Sequence, residues 1–218
     1  MLVFNVKRSE LLNLIAERVM REHGDAPYIV AIDGVDAAGK SILAGELAEE
    51  LRERGLLVSE ASIDGYHNPR VVRFMRGRDS PEGFYRDSFN LESLRGHLLD
   101  PFKTGTEYRL HMFDHRVDSP DPSMLYEFKP GTVLVFDGVF SLRSELRHYW
   151  DLTIYLSITE EESVRRGVER DPGDKEELCR RYKVRYIPGQ RLYKVEEKPE
   201  ETADMVVDNN DPSNPIIR

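Results

Sequence analysis

Cysteine is almost absent from this sequence. Cys179 is the only one among 218 residues, so the chain cannot form an internal disulfide and has no Cys-x-x-Cys pair to hold a structural zinc ion. A chain without disulfides is typical of a reducing compartment, and we expect the protein to be cytoplasmic.

Long apolar runs and an excess of positive charge are also lacking. No segment approaches the roughly 20 apolar residues of a membrane-spanning helix, and the first residues are too polar for the core of a secretion signal. The 31 Lys and Arg are outnumbered by 40 Asp and Glu, which gives a formal net charge of −9. General nucleic-acid binding needs clustered cations. We therefore expect neither a membrane nor a nucleic-acid partner, while a homo-oligomer is compatible with the sequence.

What the sequence does contain is an alternation of apolar strands and amphipathic helices. Such an alternation is typical of an α/β fold with a mostly parallel sheet. The length fits one domain over residues 1–218. The predicted strands cover 28–33, 56–63, 132–136, 152–156 and 205–207, with a hairpin strand at 108–113, and the predicted helices cover 9–23, 41–54, 91–99 and 160–170.

The segment between the first predicted strand and the next helix matches a phosphate-binding loop. It reads Gly-Val-Asp-Ala-Ala-Gly-Lys-Ser and fits the pattern G-x-x-x-x-G-K-[ST]. Glycines let successive backbone N–H groups converge on phosphate oxygens, and the following helix N-terminus adds partial positive charge. The motif predicts a P-loop NTPase three-layer sandwich that binds ATP through Gly34, Val35, Asp36, Ala37, Ala38, Gly39, Lys40, Ser41 and Ile42.

Two side chains of this loop have chemical roles of their own. Lys40 is expected to reach the β and γ phosphates and to act in catalysis, whereas the hydroxyl of Ser41 is expected to ligate Mg²⁺. The predicted cofactors are therefore ATP and Mg²⁺.

Two aspartates follow predicted strands at the edge where open α/β sheets place their sites. Asp64 comes after the strand that follows the P-loop helix, so it is the predicted catalytic base for the hydroxyl of the substrate. Asp137 ends the run 133–136, a pattern of four apolar residues and an acid that is typical of a magnesium site. Either aspartate could instead form a turn with the glycine that follows it.

From about residue 29 to 209 the order of motifs resembles the uridine kinase group of P-loop kinases, whose relatives include pantothenate kinase and phosphoribulokinase. The segment 64–67, Asp-Gly-Tyr-His, is similar to the group's Asp-x-Phe-Tyr, and 87–90, Asp-Ser-Phe-Asn, is similar to Asp-Ala-Phe-Asp. The segment 113–116, Phe-Asp-His-Arg, resembles a hairpin that approaches the acceptor. The segment 136–139, Phe-Asp-Gly-Val, resembles the group's Phe-Glu-Gly-Ile, and 203–207, Ala-Asp-Met-Val-Val, resembles its Ala-Asp-Ile-Ile-Ile.

The resemblance implies roles for residues outside the P-loop. It implies a substrate-side insertion over 68–128 and a lid over about 160–185, where Arg165, Arg166 and Arg170 lie; Arg166 and Arg170 are the predicted catalytic arginines. Such arginines can also form a solvated face. The substrate-binding candidates are Asp64, Tyr66, His67, Asp87, His115 and Arg116.

The acceptor is less well defined than the reaction. His115 and Arg116 are adjacent, whereas the uridine kinase pattern separates them by one residue. Arg73, Arg76 and Arg78 form a basic cluster that suits an anionic substrate, although arginines in an insertion are more often solvated. We expect a phosphotransferase for a hydroxyl of a small metabolite, with a nucleoside as first candidate and a pantothenate-like acid or a sugar as alternatives.

A nucleotide-dependent switch or binding module would use the same loop without an acceptor. The sequence contains neither the Asn-Lys-x-Asp segment of guanine-specific switches nor the Leu-Ser-Gly-Gly-Gln segment of transporter ATPases. The motifs therefore favour a kinase.

Overall fold

A seven-stranded, mostly parallel sheet forms the middle layer of the fold. The computed structural model describes residues 4–218, so the first three residues of the predicted domain lie outside the described part. The strands in chain order are β1 (Phe4–Asn5), β2 (Tyr28–Gly34), β3 (Leu57–Ser62), β4 (Phe113–Asp114), β5 (Ser119–Pro120), β6 (Thr132–Asp137), β7 (Leu152–Ser157), β8 (Met205–Asp208) and β9 (Ile216–Ile217).

Strand order places β2 at the centre of the sheet. The order is β1-β9-β8-β7-β2-β6-β3; β3, β6, β2, β7 and β8 are parallel, and β9 and β1 continue the edge in antiparallel fashion. The predicted α/β fold with a mostly parallel sheet is confirmed. Because parallel strands end at the same edge, the residues that follow β3, β6, β2 and β8 come together there.

Helices cover both faces of the sheet. They are α1 (Arg8–Glu22), α2 (Lys40–Glu53), α3 (Arg70–Arg73), α4 (Pro81–Asp87), α5 (Leu91–Leu94), α6 (Asp100–Thr104), α7 (Glu160–Arg170), α8 (Lys175–Arg181), α9 (Ile187–Glu197) and α10 (Pro199–Thr202). A π-helical segment, Arg95–Leu99, joins α5 to α6, and another, Tyr182–Tyr186, joins α8 to α9. No helix within residues 4–218 is long and apolar enough to cross a membrane.

The central strands are buried on both faces, which explains their continuous apolar runs. In β2, Ile29 and Ala31 face one core with Phe136, whereas Val30 and Ile32 face the other core under α1 and α2. Replacing a fully buried side chain such as Phe136 by alanine typically costs about 3–5 kcal/mol. The two cores thus hold the strand ends, and the loops attached to them, in fixed positions.

The predicted hairpin strand at 108–113 is wrong in its extent. The hairpin consists of β4 and β5, which pair over two residues. The backbone before it bonds elsewhere: the N–H of Arg109 donates to the carbonyl of His97, and that of Met112 to the carbonyl of Gly65. The N–H groups of Arg109 and Met112 are therefore not available for the hydrogen bonds that a longer hairpin strand would need. The limits proposed for the insertion, 68–128, and for the lid stay predictions.

Candidate active site

The P-loop connects β2 to α2 and depends on two glycines. A Cβ on Gly34 would lie 2.4 Å from the carbonyl oxygen of Leu156 in β7, so only glycine allows the strands to approach this closely. Gly39 has φ +93°, a left-handed conformation that side chains rarely adopt, and lies directly before the first residue of α2. The loop therefore turns sharply and brings its N–H groups to the helix N-terminus.

Side chains from distant elements brace the P-loop. Asn209, after β8, is almost fully buried, and its Nδ2 donates to the carbonyl of Ala38 at 2.7 Å. Ser163 of α7 donates to the carbonyl of Asp36 at 2.7 Å. Gln190 of α9 donates to the Asp36 carboxylate at 2.6 Å, and burial raises the pKa of Asp36 although Lys40 and Gln190 oppose this. The loop is thus held in place by hydrogen bonds to three separate elements.

Lys40, Ser41 and Asp137 meet behind the loop. Lys40 is buried, and its Nζ donates to the carbonyl of Val35 at 2.8 Å. Ser41 Oγ donates to Asp137 Oδ2 at 2.7 Å, which joins the first turn of α2 to the end of β6. Burial raises the pKa of Asp137, and the Ser41 hydroxyl and the Lys40 charge counteract this rise.

The Ser41–Asp137 pair fits a magnesium ion of the kind that P-loop enzymes use. Among residues 4–218 no cluster of three or more His, Cys, Asp or Glu could hold a metal by itself. Mg²⁺, however, prefers hard oxygen ligands and normally keeps several waters and phosphate oxygens, so that the protein supplies only one or two ligands. A hydroxyl and a carboxylate at 2.7 Å from each other supply such oxygens.

Asp64 lies in a 3₁₀ turn, Ile63–Tyr66, directly after β3. Its side chain is 62% exposed, so a substrate can reach it. The charge of Asp64 contributes to the raised pKa values of both Asp36 and Asp137. The three carboxylates therefore share one region of electrostatic influence at the carboxyl edge of the sheet.

Two cavities meet at the P-loop. The nucleotide cavity, of about 470 Å³, is lined by Ala37, Lys40, Ser41 and the exposed Ile42, and by Asn209 and Arg166. The acceptor cavity, of about 260 Å³, shares Ala37, Lys40, Ser41 and Arg170 with it and adds Asp64 and Asp137. The P-loop thus lies between the two cavities, an arrangement that suits a phosphate donor on one side and an acceptor on the other.

Comparisons with known proteins agree with this arrangement. No family model matches the chain. A curated uridine kinase from Proteus mirabilis is 28% identical over 153 residues, which cover 67% of this chain and 70% of that protein. The chain is therefore similar in sequence to uridine kinases, and its motifs and fold are those of a P-loop kinase.

Solved structures show the same fold at lower identity. A protein from Bacillus stearothermophilus described as a possible uridine kinase has a TM-score of 0.73 at 22% identity, covering 91% of this chain and 97% of its own. D-glycerate 3-kinase from Cryptococcus neoformans has a TM-score of 0.61 at 15% identity, covering 85% and 87%. These likenesses support the P-loop kinase fold.

The predicted acceptor residues lie in different surroundings. His67 and His115 line the acceptor cavity and stack with ring centroids 4.5 Å apart. Arg116 is exposed, at the rim of two neighbouring cavities. Asp87 accepts a hydrogen bond from Arg76 Nε at 2.8 Å and does not line the acceptor cavity.

Tyr66 requires a correction. It was a predicted substrate contact, but the structure buries it in the core, 1% exposed, with its hydroxyl donating to the carbonyl of Arg109 at 2.6 Å. With three residues per turn, Ile63 and Tyr66 lie on the same inward side of the 3₁₀ turn, whereas Asp64 points outward. Tyr66 therefore belongs to the core and not to the lining of the acceptor cavity.

The arginines of α7 divide between two sides of the helix. Arg165 is exposed and pairs with Glu162 and Glu169. Arg166 is 17% exposed, lines the nucleotide cavity and donates to the carbonyls of Asn209 and Asn210 at 3.0 and 2.8 Å. Arg170 lines both cavities and pairs with Asp171 at 2.7 Å, which raises its pKa.

Sequence reasoning missed several residues of the site. Asn209, Ser163 and Gln190 brace the P-loop, and Arg185 lines the acceptor cavity. The position of Asn209, two residues after the end of the last predicted strand at 207, was a signal for it, because strand ends meet at the site. For Ser163, Gln190 and Arg185, which lie within helical segments, the sequence offers no comparable signal.

Proposed function

We propose that this kinase transfers the γ-phosphoryl group of ATP·Mg²⁺ to a hydroxyl group of a small metabolite, with Asp64 as catalytic base. The observation that carries the proposal is the meeting of two cavities at Lys40 and Ser41, with Asp64 in only one of them. A donor in one cavity and an acceptor in the other would face each other across the P-loop.

The chain's own residues would position the phosphates. The N–H groups of the P-loop and the Lys40 ammonium would bind the phosphate oxygens. Ser41 and Asp137 would hold Mg²⁺, which neutralises charge on the phosphates when it is bound. Arg166 and Arg170, which line the nucleotide cavity, would stabilise the charge that develops during transfer.

Asp64 would act on the acceptor. The hydroxyl oxygen of the acceptor forms a bond to the γ phosphorus, and the bond from that phosphorus to the oxygen of the leaving ADP breaks. The hydroxyl proton passes to the Asp64 carboxylate, and ADP leaves with the electron pair of the broken bond. The exposure of Asp64 supports this role, since Asp36 and Asp137 are engaged by Gln190 and Ser41.

The acceptor has two candidate classes. Similarity to curated uridine kinases favours a nucleoside. A hydroxylated acid is favoured by a different observation, the buried and uncompensated Arg185 beside the acceptor cavity.

The cytoplasmic location stays a prediction.

An acceptor panel tests the reaction. ATP consumption is measured with purified protein alone and with nucleosides, sugars and hydroxy acids added singly. Stimulation at least tenfold by one class of acceptor, lost in Lys40→Ala, is expected. ATP hydrolysis that no acceptor changes would instead support a nucleotide switch.

A further inference from the structure

A third cavity, of about 720 Å³, lies beside the acceptor cavity and is rich in arginine. Seven arginines line it against two acids, Asp79 and Glu177. It shares Arg73, Arg185 and His115 with the acceptor cavity, and none of its lining residues with the nucleotide cavity. Any anion held here would therefore belong to the acceptor side and not to the phosphates of ATP.

Among the described residues, no carboxylate forms an ion pair with the buried cation Arg185. It is 4% exposed, and its guanidinium donates to the carbonyls of Arg78 at 2.7 Å and of Gly77 and Arg73 at 3.4 Å. Its charge lies over the ring of Phe74, 5.0 Å from the centroid. Burial lowers its pKa, and the charges of Arg73 and Arg181 lower it further, although the interactions with Tyr186 and Asp79 oppose this shift. A buried charge satisfied only by dipoles is costly, and an anion would offset that cost.

Arg73 is only partly satisfied. Its side chain is 12% exposed and its Nη2 lies 3.3 Å from Asp118 Oδ1. Its Nε is buried and has no hydrogen-bond partner among the described residues. Unsatisfied buried donors are rare in proteins and call for a partner. Arg73 therefore offers a free N–H donor in the wall that the two cavities share.

The two acids that line the third cavity already form ion pairs with arginines. Asp79 pairs with Arg180 at 3.0 Å, and Glu177 pairs with Arg180 at 2.8 Å and with Arg181 at 3.7 Å. Within residues 4–218, Arg78 and Arg116 form no ion pair at all. The cavity therefore has a local excess of positive charge in a chain whose net charge is −9, which points to a built anion site.

We propose that the acceptor of this kinase carries an anionic group of its own, a carboxylate or a phosphate ester, which binds between Arg73 and Arg185 while its hydroxyl lies at Asp64. The proposal rests on the phosphotransferase function proposed above and names its substrate class. A neutral nucleoside would leave the Arg185 guanidinium without an anionic partner and the Nε of Arg73 without an acceptor. Guanidinium groups bind carboxylates and phosphates in a bidentate manner, which also fixes the orientation of the hydroxyl.

The first experiment compares acceptors. Initial rates are measured with D-glycerate and pantothenate as hydroxy acids, ribose 5-phosphate as a phosphate ester, and uridine and fructose as neutral acceptors. At least one anionic acceptor is expected to exceed both neutral ones tenfold or more in kcat/KM. The carboxylate and phosphate arms identify which anion is used. Equal or higher kcat/KM for uridine or fructose would overturn this proposal and keep the kinase function, whereas failure of every acceptor would overturn both.

The second experiment tests the arginines with the preferred acceptor. Arg73→Gln should raise KM for the acceptor at least tenfold, leave KM for ATP within twofold, and be partly rescued by Arg73→Lys. Arg78→Gln should raise the acceptor KM severalfold without disturbing the fold, since Arg78 is exposed.

The control is Arg86→Gln. Arg86 lies on the surface of α4 and pairs with Glu82 and Glu196, away from the cavity. It should leave both KM values unchanged. An acceptor KM that is insensitive to Arg73 and Arg78 would contradict the anion site.

Discussion

At the scale of single residues, Asp36, Asp64 and Asp137 all line the acceptor cavity, and their surroundings separate their roles. Asp36 is tied to Gln190, and Asp137 is tied to Ser41. Burial is the main cause of the raised pKa of both. Asp64 is the exposed one of the three. A base must reach its substrate, and this requirement selects Asp64.

Replacing Asp64 by asparagine should separate nucleotide binding from transfer. The amide keeps the shape of the side chain but cannot accept the proton, so kcat should fall by about 10²–10⁴ while ATP affinity stays within twofold. Steady-state rates and ATP titration measure the two effects. Asp25→Asn, exposed before β2 at the opposite edge of the sheet, should change neither. Full turnover of Asp64→Asn across the pH range would disprove the base assignment.

His67 should make folding stability depend on pH. Burial lowers its pKa to about 4 although the charge of Asp64 opposes this, whereas an unfolded histidine titrates near 6.5. The unfolded chain therefore binds more protons between these values, and stability falls as the pH decreases below about 6.5. Through this group alone, the free energy of unfolding should be about 2 kcal/mol lower at pH 5 than at pH 7.

Urea unfolding at the two pH values measures this effect. In His67→Phe, which keeps an aromatic ring beside Phe89 and His115, the loss between pH 7 and pH 5 should be smaller by about that amount. The same pH dependence in both proteins would show that His67 does not titrate as described.

At the scale of secondary-structure elements, α7 shows why a helix can serve the site with one face only. Successive residues of a helix are about 100° apart, so Arg165 and Arg166 point to different sides. Arg165 pairs with glutamates in solvent, and Arg166 lies against the carbonyls that follow β8. The helix thus ties the predicted lid region to Asn209, which braces the P-loop.

Removing the inward arginine should weaken nucleotide binding. Arg166→Gln should remove the charge-assisted hydrogen bonds that Arg166 is proposed to make to the phosphates of ATP. Each such bond is worth about 1.5–3 kcal/mol, so KM for ATP should rise at least tenfold. Arg165→Gln, at an exposed ion pair, should change it less than twofold. Initial rates at varied ATP concentration measure both. A larger effect of Arg165→Gln than of Arg166→Gln would contradict the assigned orientation of α7.

Local patterns predicted those elements whose physical cause is local. The strand runs, the glycines of the P-loop and the aspartates at strand ends all follow from residue order, and the structure has each strand end at the same edge of the sheet. The residue pattern by itself does not distinguish positions 165 and 166, and the choice of Arg166 came from the family resemblance, because the phase of a charged helix depends on what it packs against. Tyr66 was misplaced for the same reason.

Contacts between distant segments could not be predicted. Asn209 bonds to Ala38 across 171 positions and Arg185 to Arg73 across 112. Such pairs form because the topology brings separate segments together, and a single sequence does not show which distant segments become neighbours in space. The anion site could therefore be proposed only from the structure, although the sequence already indicated a basic cluster that includes Arg73 and Arg78.

At the scale of the whole molecule, charge is distributed unevenly. The chain has a net charge of −9, yet seven arginines line one cavity beside the acceptor site. The general acidity disfavours non-specific polyanion binding, whereas the local excess attracts a small anion. The nucleotide, acceptor and arginine-rich cavities form a row, with the P-loop between the first two.

The destination of the γ-phosphoryl group tests this account most directly. ATP labelled at the γ phosphate is incubated with the protein, Mg²⁺ and the acceptor panel, and the label is followed by mass spectrometry. We expect the label in a phosphate ester of one acceptor, formed in amounts equal to the ADP released, and absent with Lys40→Ala. Label found only as inorganic phosphate, at a rate that no acceptor changes, would contradict the account.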